Sequence, residues 1–303
     1  MIDTVQIFHP HSIDKRSIPA GLKCTNSITP VIADETTNAK RCNHTFSCDN
    51  QTNGYHAFGT PHCATYHRAS LPRLLHGTNG KLILNQAEVN AAMDLLHEQA
   101  STLGRPEFEH FHFTRVDLVY QFRGDPAKFV LAHRHARHPR IRGKVHNYSD
   151  RSLVFKGSEM RITIYDKLRE ITGKNGDVTR VEIRLGGRRL KEELGAGELV
   201  TSLNFNTCYQ AYRRILMGFQ PVSIPEASGI AQLLAVSERE RWTSNGVSAF
   251  DIYASGLCER QIRRLRSAMA NLRPEVHSFD WSTLLPAEGP PPPVDIVTEV
   301  SPG

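Results

Sequence analysis

The segment Met160–Lys167 combines a tyrosine with two basic residues on what the sequence predicts to be one face of a β-strand. Apolar or β-branched residues alternate there with polar ones, and a Gly-Ser turn signal precedes the segment. Successive side chains of a strand point to opposite faces, so Arg161, Tyr165 and Lys167 would share the polar face. A tyrosine beside a cation can act as a covalent nucleophile. A half-buried structural tyrosine is the alternative interpretation.

Two further predicted strands carry a carboxylate on their polar face. Residues 111–122 place Asp117 opposite their apolar side chains, and residues 178–185 do the same with Glu182. Aspartate is disfavoured in strands, so its position asks for a functional reason. In one antiparallel sheet, the three strands would gather these groups on one face.

Such a face has the groups that metal-assisted phosphoryl transfer requires. Hard carboxylate oxygens suit Mg²⁺ or Mn²⁺, and a bound cation polarises a phosphate and favours a phenolate. We therefore predict Tyr165 as the nucleophile, Lys167 as the charge beside it, and Asp117 and Glu182 as metal ligands. Arginines of the same strands are predicted to bind flanking DNA phosphates: Arg115, Arg180 and Arg184.

Histidines offer a competing metal site. His110-Phe111-His112 is a histidine–hydrophobic–histidine triplet, the pattern of the nicking enzymes that bind a metal through two histidines, and it lies upstream of Tyr165. The carboxylates are the preferred ligands, with His110 and His112 as the alternative. A Cys/His-rich stretch at residues 42–67 matches no common zinc spacing, and its role stays open.

Positive charge is concentrated in the middle of the chain. Residues 101–220 carry a net charge of +9, against zero for residues 1–100 and −3 for residues 221–303. Within this segment, a stretch punctuated by proline and glycine predicts a basic loop that binds nucleic-acid phosphates. Its cations are Arg134, Arg137, Arg140, Arg142 and Lys144.

The pattern of elements predicts an α+β fold, with a central antiparallel sheet flanked by helices. A strand at residues 2–8, an antiparallel meander at 20–70 and a helix that begins after Asn85 precede the three strands. Residues 1–218 are predicted as the catalytic domain. Residues 219–285 read as a helical C-terminal region that could bind DNA, and residues 286–303 as a disordered proline-rich tail. No apolar run approaches a membrane span and no secretory signal is seen, so we expect a cytoplasmic protein.

Short ordered segments of the chain resemble the gene II replication initiators of filamentous bacteriophages, a family of rolling-circle nickases. They include Leu71–Asn79, Thr114–Asp117, Ile164–Lys167 and Thr179–Glu182, followed by late segments near Tyr212 and at Ala249–Arg266. The resemblance covers roughly residues 1–285. It implies that Tyr165 is the nicking tyrosine and that Asp117 and Glu182 are the acidic residues of the neighbouring strands.

The resemblance also implies a substrate and a place of action. Such initiators nick one strand at the phage origin, on supercoiled duplex and single-stranded DNA, remain on the 5′ phosphate, and leave a 3′ hydroxyl as primer. They would act in the bacterial host cytoplasm with a host helicase and polymerase. A plasmid mobilisation relaxase with the same chemistry, or a non-catalytic DNA-binding regulator, are the alternative functions.

Overall fold

The structure is a computed structural model of the whole chain, whose contacts divide into two units. The first contains Met1–Arg134, His138–Gly218 and Asp280–Gly303, and the second His135–Arg137 and Phe219–Phe279. The residues that it describes are 1–9, 23–28, 44–50, 55–60, 64–101, 111–133, 136–141, 144–195, 203–220, 222–225, 274–277, 280–294 and 296.

A ten-stranded antiparallel sheet forms the centre of the first unit. Its strands are β1 Ile2–His9, β2 Lys23–Ile28, β3 His44–Asn50, β4 Tyr55–Thr60, β5 Ala64–Ser70, β6 His112–Arg123, β7 Lys144–Ser149, β8 Ser152–Lys156, β9 Met160–Asp166 and β10 Val178–Gly186. They lie in the order β2-β3-β4-β5-β1-β6-β10-β9-β8-β7. The α+β prediction with a central antiparallel sheet is confirmed. The 20–70 meander is also confirmed, in β2 to β5.

Seven helices of the first unit lie within the described residues. They are α1 Leu71–His76, α2 Gln86–Ser101, α3 Pro126–His133, α4 Lys167–Thr172, α5 Gly187–Leu194, α6 Phe205–Met217 and α7 Trp281–Leu284. The predicted cap of α2 is present, because the backbone N–H of Glu88 donates to Asn85 Oδ1 at 2.9 Å. Helix α6 has no counterpart among the predicted elements. Its Asn204 cap accepts from the Thr207 N–H at 2.9 Å.

Alternation along the central strands creates one apolar face. The side chains on it are fully buried: Val116, Leu118, Tyr120, Ile162, Ile164, Val181 and Ile183. Helix α3 packs against β8, β9 and β10, and helices α5 and α6 pack against β6. An aromatic cluster of Phe122, Phe129 and Trp281 extends this core. The opposite face of the same strands is therefore left for polar groups.

Residues 286–294 belong to the segment that the sequence predicts as a disordered tail, and in the structure they contact strand β6 and helix α6. The carbonyl oxygen of Val294 accepts from Gln121 Nε2 at 2.9 Å, and that of Ala287 accepts from Gln210 Nε2 at 3.1 Å. Ile296 is also buried. Prolines have no N–H to satisfy, so an extended proline-rich segment can pack through its rings and carbonyls without secondary structure.

The second unit is described only in part. Strands β11 Val222–Pro225 and β12 Pro274–His277 form a two-stranded antiparallel sheet, and Arg137 forms a bridge with Gln220. The helices predicted between residues 230 and 272 lie outside the described residues. Among the helices that are described, none is long and apolar enough to cross a membrane.

Candidate active site

The register of the central strands places the predicted site residues on one face. Tyr165 on β9 lies directly opposite Arg180 on β10, and Arg180 lies opposite Gln121 on β6. Four residues along β10, Arg184 lies opposite Asp117. Directly paired antiparallel residues share a face and lie about 5 Å apart. The strand pairing therefore places Tyr165, Arg184 and Asp117 on one face, with Arg184 and Asp117 four residues along the strands from the Tyr165–Arg180 pair.

Tyr165 is half-buried on this face, near the end of β9. Burial raises its pKa well above the usual value, and the nearby carboxylates of Glu170, Glu182 and Asp3 raise it further, while Arg180 lowers it. None of the described residues hydrogen-bonds to its hydroxyl. The phenol is therefore neutral at pH 7 and needs help to ionise.

Arg180 is a buried charge and not a surface phosphate contact, which corrects its predicted role. Its side chain is 0% exposed, forms an ion pair with Asp3 at 3.2 Å and donates to the Asn79 carbonyl at 2.9 Å. Burial alone would lower its pKa, but Asp3, Tyr165 and Glu182 raise the pKa above its usual value. Arg180 therefore stays cationic beside Tyr165. A direct contact with DNA would require the structure to open.

Alternation predicted that Lys167 would lie beside Tyr165 on the strand, but the structure places it elsewhere. Strand β9 ends at Asp166, whose carboxylate caps helix α4 by accepting from the Arg169 N–H at 2.9 Å. Lys167 is the first residue of that helix. Its buried ammonium donates to Glu170 at 2.7 Å, and burial followed by the charge of Arg180 lowers its pKa. The cation that affects Tyr165 is thus Arg180, which a correct strand register would have identified.

Asp117 is held by two arginines. Arg115 Nε donates to one carboxylate oxygen at 2.7 Å and its Nη2 donates to the other, while Arg184 Nε lies 3.3 Å from Asp117 Oδ1. Asp117 is 1% exposed. Arg115 and Arg184 are therefore placed at the predicted site. Both contact the Asp117 carboxylate there, and the Arg184 side chain is also 35% exposed.

The negative charge of Glu182 is less fully balanced by neighbouring cations than that of Asp117. It lies opposite Thr163 on β9, one position diagonal to Tyr165, and its ion pair with Arg184 is 3.5 Å long. Burial raises the pKa of Glu182, and the charges of Asp117 and Asp3 raise it further. Such a carboxylate accepts a proton more readily than an ordinary glutamate.

The carboxylates as placed do not fit a divalent metal. Both oxygens of Asp117 accept hydrogen bonds from Arg115, and two guanidinium groups next to it would repel a cation. In the described part of the chain, no group of three or more His, Cys, Asp or Glu side chains could hold a metal ion. His112 begins β6, opposite Phe8 on β1, and His110 lies outside the described residues. The requirement for Mg²⁺ or Mn²⁺ stays a prediction.

The predicted basic loop is described only at two of its cations. Arg140 forms an ion pair with Glu193, and Arg137 is exposed in the second unit. Arg134 and Arg142 lie outside the described residues. Lys144 begins β7, and its side chain lies outside the description. A phosphate role for these five residues stays a prediction.

Sequence reasoning missed Asp3 as a member of this site. Strand β1 has a register shift between Ile2 and Thr4, so simple alternation does not give the orientation of the residue between them. Asp3 pairs with Arg180 and also accepts from the Ser70 hydroxyl at 3.3 Å. No local sequence pattern predicts this register shift. The available signal was an aspartate inside a predicted strand.

Comparisons with known proteins add a structural likeness. No protein-family model matches the chain, and no curated protein matches it. Among solved structures, the chain is similar to a rolling circle replication initiator protein from Geobacillus stearothermophilus. The two are 11% identical, with a TM-score of 0.37, over 90% of this chain and 97% of that one. The case for a function therefore comes from the residues of the site.

Proposed function

We propose that the protein is a DNA nickase that initiates rolling-circle replication, with Tyr165 as the nucleophile. One observation carries the proposal: Tyr165 lies opposite a buried, charged arginine on a sheet face that also holds Asp117 and Glu182. A face used only for packing would not place these ionised groups around a tyrosine, because each buried charge costs free energy.

The proposed reaction is a transfer of a phosphodiester to the tyrosine. Tyr165 Oη attacks the phosphorus, the bond from phosphorus to the 3′ oxygen breaks, and a 5′-phosphotyrosine forms. Glu182 accepts the phenolic proton, and water donates a proton to the departing 3′ oxygen on the opposite side of the phosphorus, so that this oxygen leaves as a hydroxyl. Protons balance over the step, and the phosphoester bond energy is retained for rejoining.

The electrostatics of the site fit this division of roles. At pH 7, ionising even an ordinary tyrosine of pKa ~10 costs about 4 kcal/mol, and burial adds to that cost. Proton transfer to a positioned base during the attack avoids a free phenolate and contributes typically ~10²–10⁴-fold in rate. Arg180 then stabilises the charge that develops on the phenolic oxygen, because it is already in place and out of water.

Arg115 and Arg184 are proposed to bind a DNA phosphate that flanks the scissile one, because they lie four residues or more along the strands from the Tyr165–Arg180 pair. An arginine fork binds phosphate as well as it binds carboxylate, so a DNA phosphate can compete with Asp117 for both groups. A divalent cation would polarise the phosphate if Asp117 and Glu182 held it. It would require the pair between Arg115 and Asp117 to open.

The substrate is proposed to be a replication origin, at which the cut leaves a 3′ hydroxyl that a host polymerase extends with the help of a helicase. The resemblance to gene II initiators supports a phage origin. A plasmid transfer origin is the alternative substrate, on which the protein would perform the same reaction. A non-catalytic DNA-binding regulator is the second candidate. Two observations support it: the Tyr165 phenol is neutral, and the Asp117 carboxylate is already paired with arginines.

Covalent capture of DNA separates a nickase from a regulator. Wild-type protein, incubated with supercoiled origin DNA and Mg²⁺ or Mn²⁺, is expected to give nicked circles and a protein–DNA adduct that survives denaturing gel electrophoresis. Tyr165→Phe should give neither, because it lacks the attacking oxygen. Tyr66→Phe is the matched control, a half-buried tyrosine in β5 of the same sheet, and should nick normally. An adduct formed by Tyr165→Phe would refute the assignment of the nucleophile.

A further inference from the structure

A pocket of about 800 Å³ lies at the end of the β8–β9 hairpin, and Arg140 is its one lining residue with a role predicted from the sequence. The hairpin turn at residues 157–159, the start of helix α5 and the loop at Pro139 and Arg140 line it. Basic residues from three separate elements reach it. The lining cations are Arg140, Lys156, Arg188 and Arg189, with His146 from β7 beside them.

Carboxylates near the pocket do not neutralise these cations. Glu192 pairs with both Arg188 and Arg189, and Glu193 is shared between Arg140 and Arg214. Among the described side chains, the four lining cations and Arg214 face three carboxylates, with Glu159 of the lining included. The Arg188 side chain is 71% exposed and its partner Glu192 is 41% exposed, so Arg188 can exchange this surface carboxylate for another anion.

The one carboxylate in the lining is committed to the protein backbone. Glu159 Oε1 accepts from the Arg188 N–H at 3.3 Å, at the start of helix α5. Gly187 makes this possible with φ +51°, and a Cβ there would approach Glu159 Oε1 to 2.6 Å. The wall is thus built around a glycine in the left-handed region. The Glu159 carboxylate is therefore held by the backbone and is not free to pair with the cations of the lining.

The pocket continues the row of charges that crosses the candidate active site. Lys156 on β8 lies opposite Arg161 on β9, Arg161 lies opposite Arg184 on β10, and Arg184 lies opposite Asp117 on β6. With strands about 4.8 Å apart, this row leads from Asp117 to Lys156 in roughly 15 Å. Tyr165 lies on the same face, four residues along β9 from Arg161. A DNA strand that extends along β9 from Tyr165 can therefore reach the row of cations and the pocket.

An exposed aromatic pair borders the pocket. Tyr148 is 67% exposed, and its ring stacks on His146 with centroids 6.0 Å apart and planes 20° apart. Single-stranded nucleic acid is bound by cations along the backbone and by aromatic rings on which bases stack. Duplex DNA keeps its bases stacked on each other and cannot use such a ring.

We propose that this pocket binds a phosphate of single-stranded DNA, with Tyr148 stacking on an adjacent base. The inference rests on the proposed function, because it assigns the pocket to the strand that Tyr165 cuts. It adds a second contact region for that strand, away from the reacting atoms.

Binding without cleavage tests the pocket independently of the nicking chemistry. Full-length protein that carries Tyr165→Phe is titrated into a fluorescein-labelled 20-nucleotide oligo(dT), and anisotropy is measured from 0.05 to 0.5 M salt. Adding Lys156→Gln and Arg188→Gln should lower the slope of log K against log salt by about 1.4, because each single-strand phosphate contact contributes ~0.7. Affinity at 0.1 M salt should fall by about 20-fold.

Lys174→Gln with Lys191→Gln is the matched control, since it removes two exposed cations outside the pocket lining. An equal loss of slope in this control, or no loss in the pocket variant, overturns the inference. Tyr148→Ala should weaken binding about tenfold and Tyr148→Phe should not, because phenylalanine keeps the stacking face. Equal effects of the two Tyr148 substitutions overturn the stacking role.

The two proposals can fail separately. Loss of slope in the pocket variant, together with an adduct formed by Tyr165→Phe protein, retains the pocket and refutes the nucleophile. An unchanged slope, together with a lost adduct in Tyr165→Phe, retains the nickase and refutes the pocket.

Discussion

Each face of strands β6, β9 and β10 buries a basic side chain, which is charged on one face and neutral on the other. On the charged face, Arg180 is fully buried and ionised against Asp3. On the apolar face, helix α3 buries His133 as a neutral ring. Its Nδ1 donates to the Phe129 carbonyl at 2.8 Å, and its Nε2 accepts from Trp281 Nε1 at 3.1 Å.

The difference separates a structural solution from a functional one. Burial lowers the pKa of His133 to about 4, so this ring fits the core without a charge to compensate. Arg180 cannot lose its charge in this way, and its burial costs free energy that the Asp3 pair only offsets. A sheet that keeps such a charge beside Tyr165 gives up stability on that face. This is the trade-off expected of a reactive site.

Removal of Arg180 should have the largest effect on stability. Arg180→Gln leaves Asp3 without its partner and is expected to cost about 3–5 kcal/mol in the free energy of unfolding. Urea denaturation followed by circular dichroism measures the change. Arg180→Met combined with Asp3→Asn removes both charges and should recover at least half of the loss. Equal losses in the single and double variants would show that packing, and not the unpaired charge, carries the effect.

The same contrast shows how far local sequence patterns reach. Alternation along 111–122, 160–167 and 178–185 correctly predicted the sheet and its two faces, because side-chain direction is a local property. It did not reveal that Arg180, rather than Lys167, lies beside Tyr165. Register depends on pairing between strands that are distant in sequence, and the end of β9 depends on the Asp166 cap.

Which of the charged side chains are buried could also not be predicted from the sequence. Arg115, Arg180 and Arg184 occupy equivalent polar positions in their strands, and the sequence predicted one phosphate-binding role for all three. The loop at Asn79 and the tail at Val294 provide carbonyls around Arg180 and Gln121. These segments lie about 100 residues or more from the strand residues that they contact. No local pattern predicts which arginine such segments cover.

The apolar face should show its neutral histidine as a loss of stability in acid. The pKa of His133 is about 4 when folded and ~6.5 when unfolded, so the unfolded chain binds more protons between these values. Stability is therefore complete above about pH 6.5 and falls as the pH drops towards 4, by about 3 kcal/mol. Protonation of Nε2 also removes the acceptor for Trp281.

His133→Gln isolates this contribution from the carboxylates that titrate in the same range. Glutamine can still accept from Trp281 but does not titrate. Urea midpoints of wild type and variant, measured from pH 7.5 to pH 4.5, should converge as the pH falls. Parallel curves would mean that His133 is not buried in its neutral form.

Arg184 provides the smallest expected effect on stability and the sharpest test of the charged face. It lies on the same strand and face as Arg180, but its side chain is 35% exposed and Asp117 keeps Arg115 without it. Arg184→Gln should therefore change the free energy of unfolding by less than about 1 kcal/mol. If Arg184 clamps a DNA phosphate, the same substitution should lower the single-strand salt slope by about 0.7. Lys128→Gln, an exposed cation on helix α3, should change neither quantity. A large loss of stability with unchanged DNA binding would give Arg184 the structural role of Arg180, and the functional face would then lack its accessible phosphate clamp.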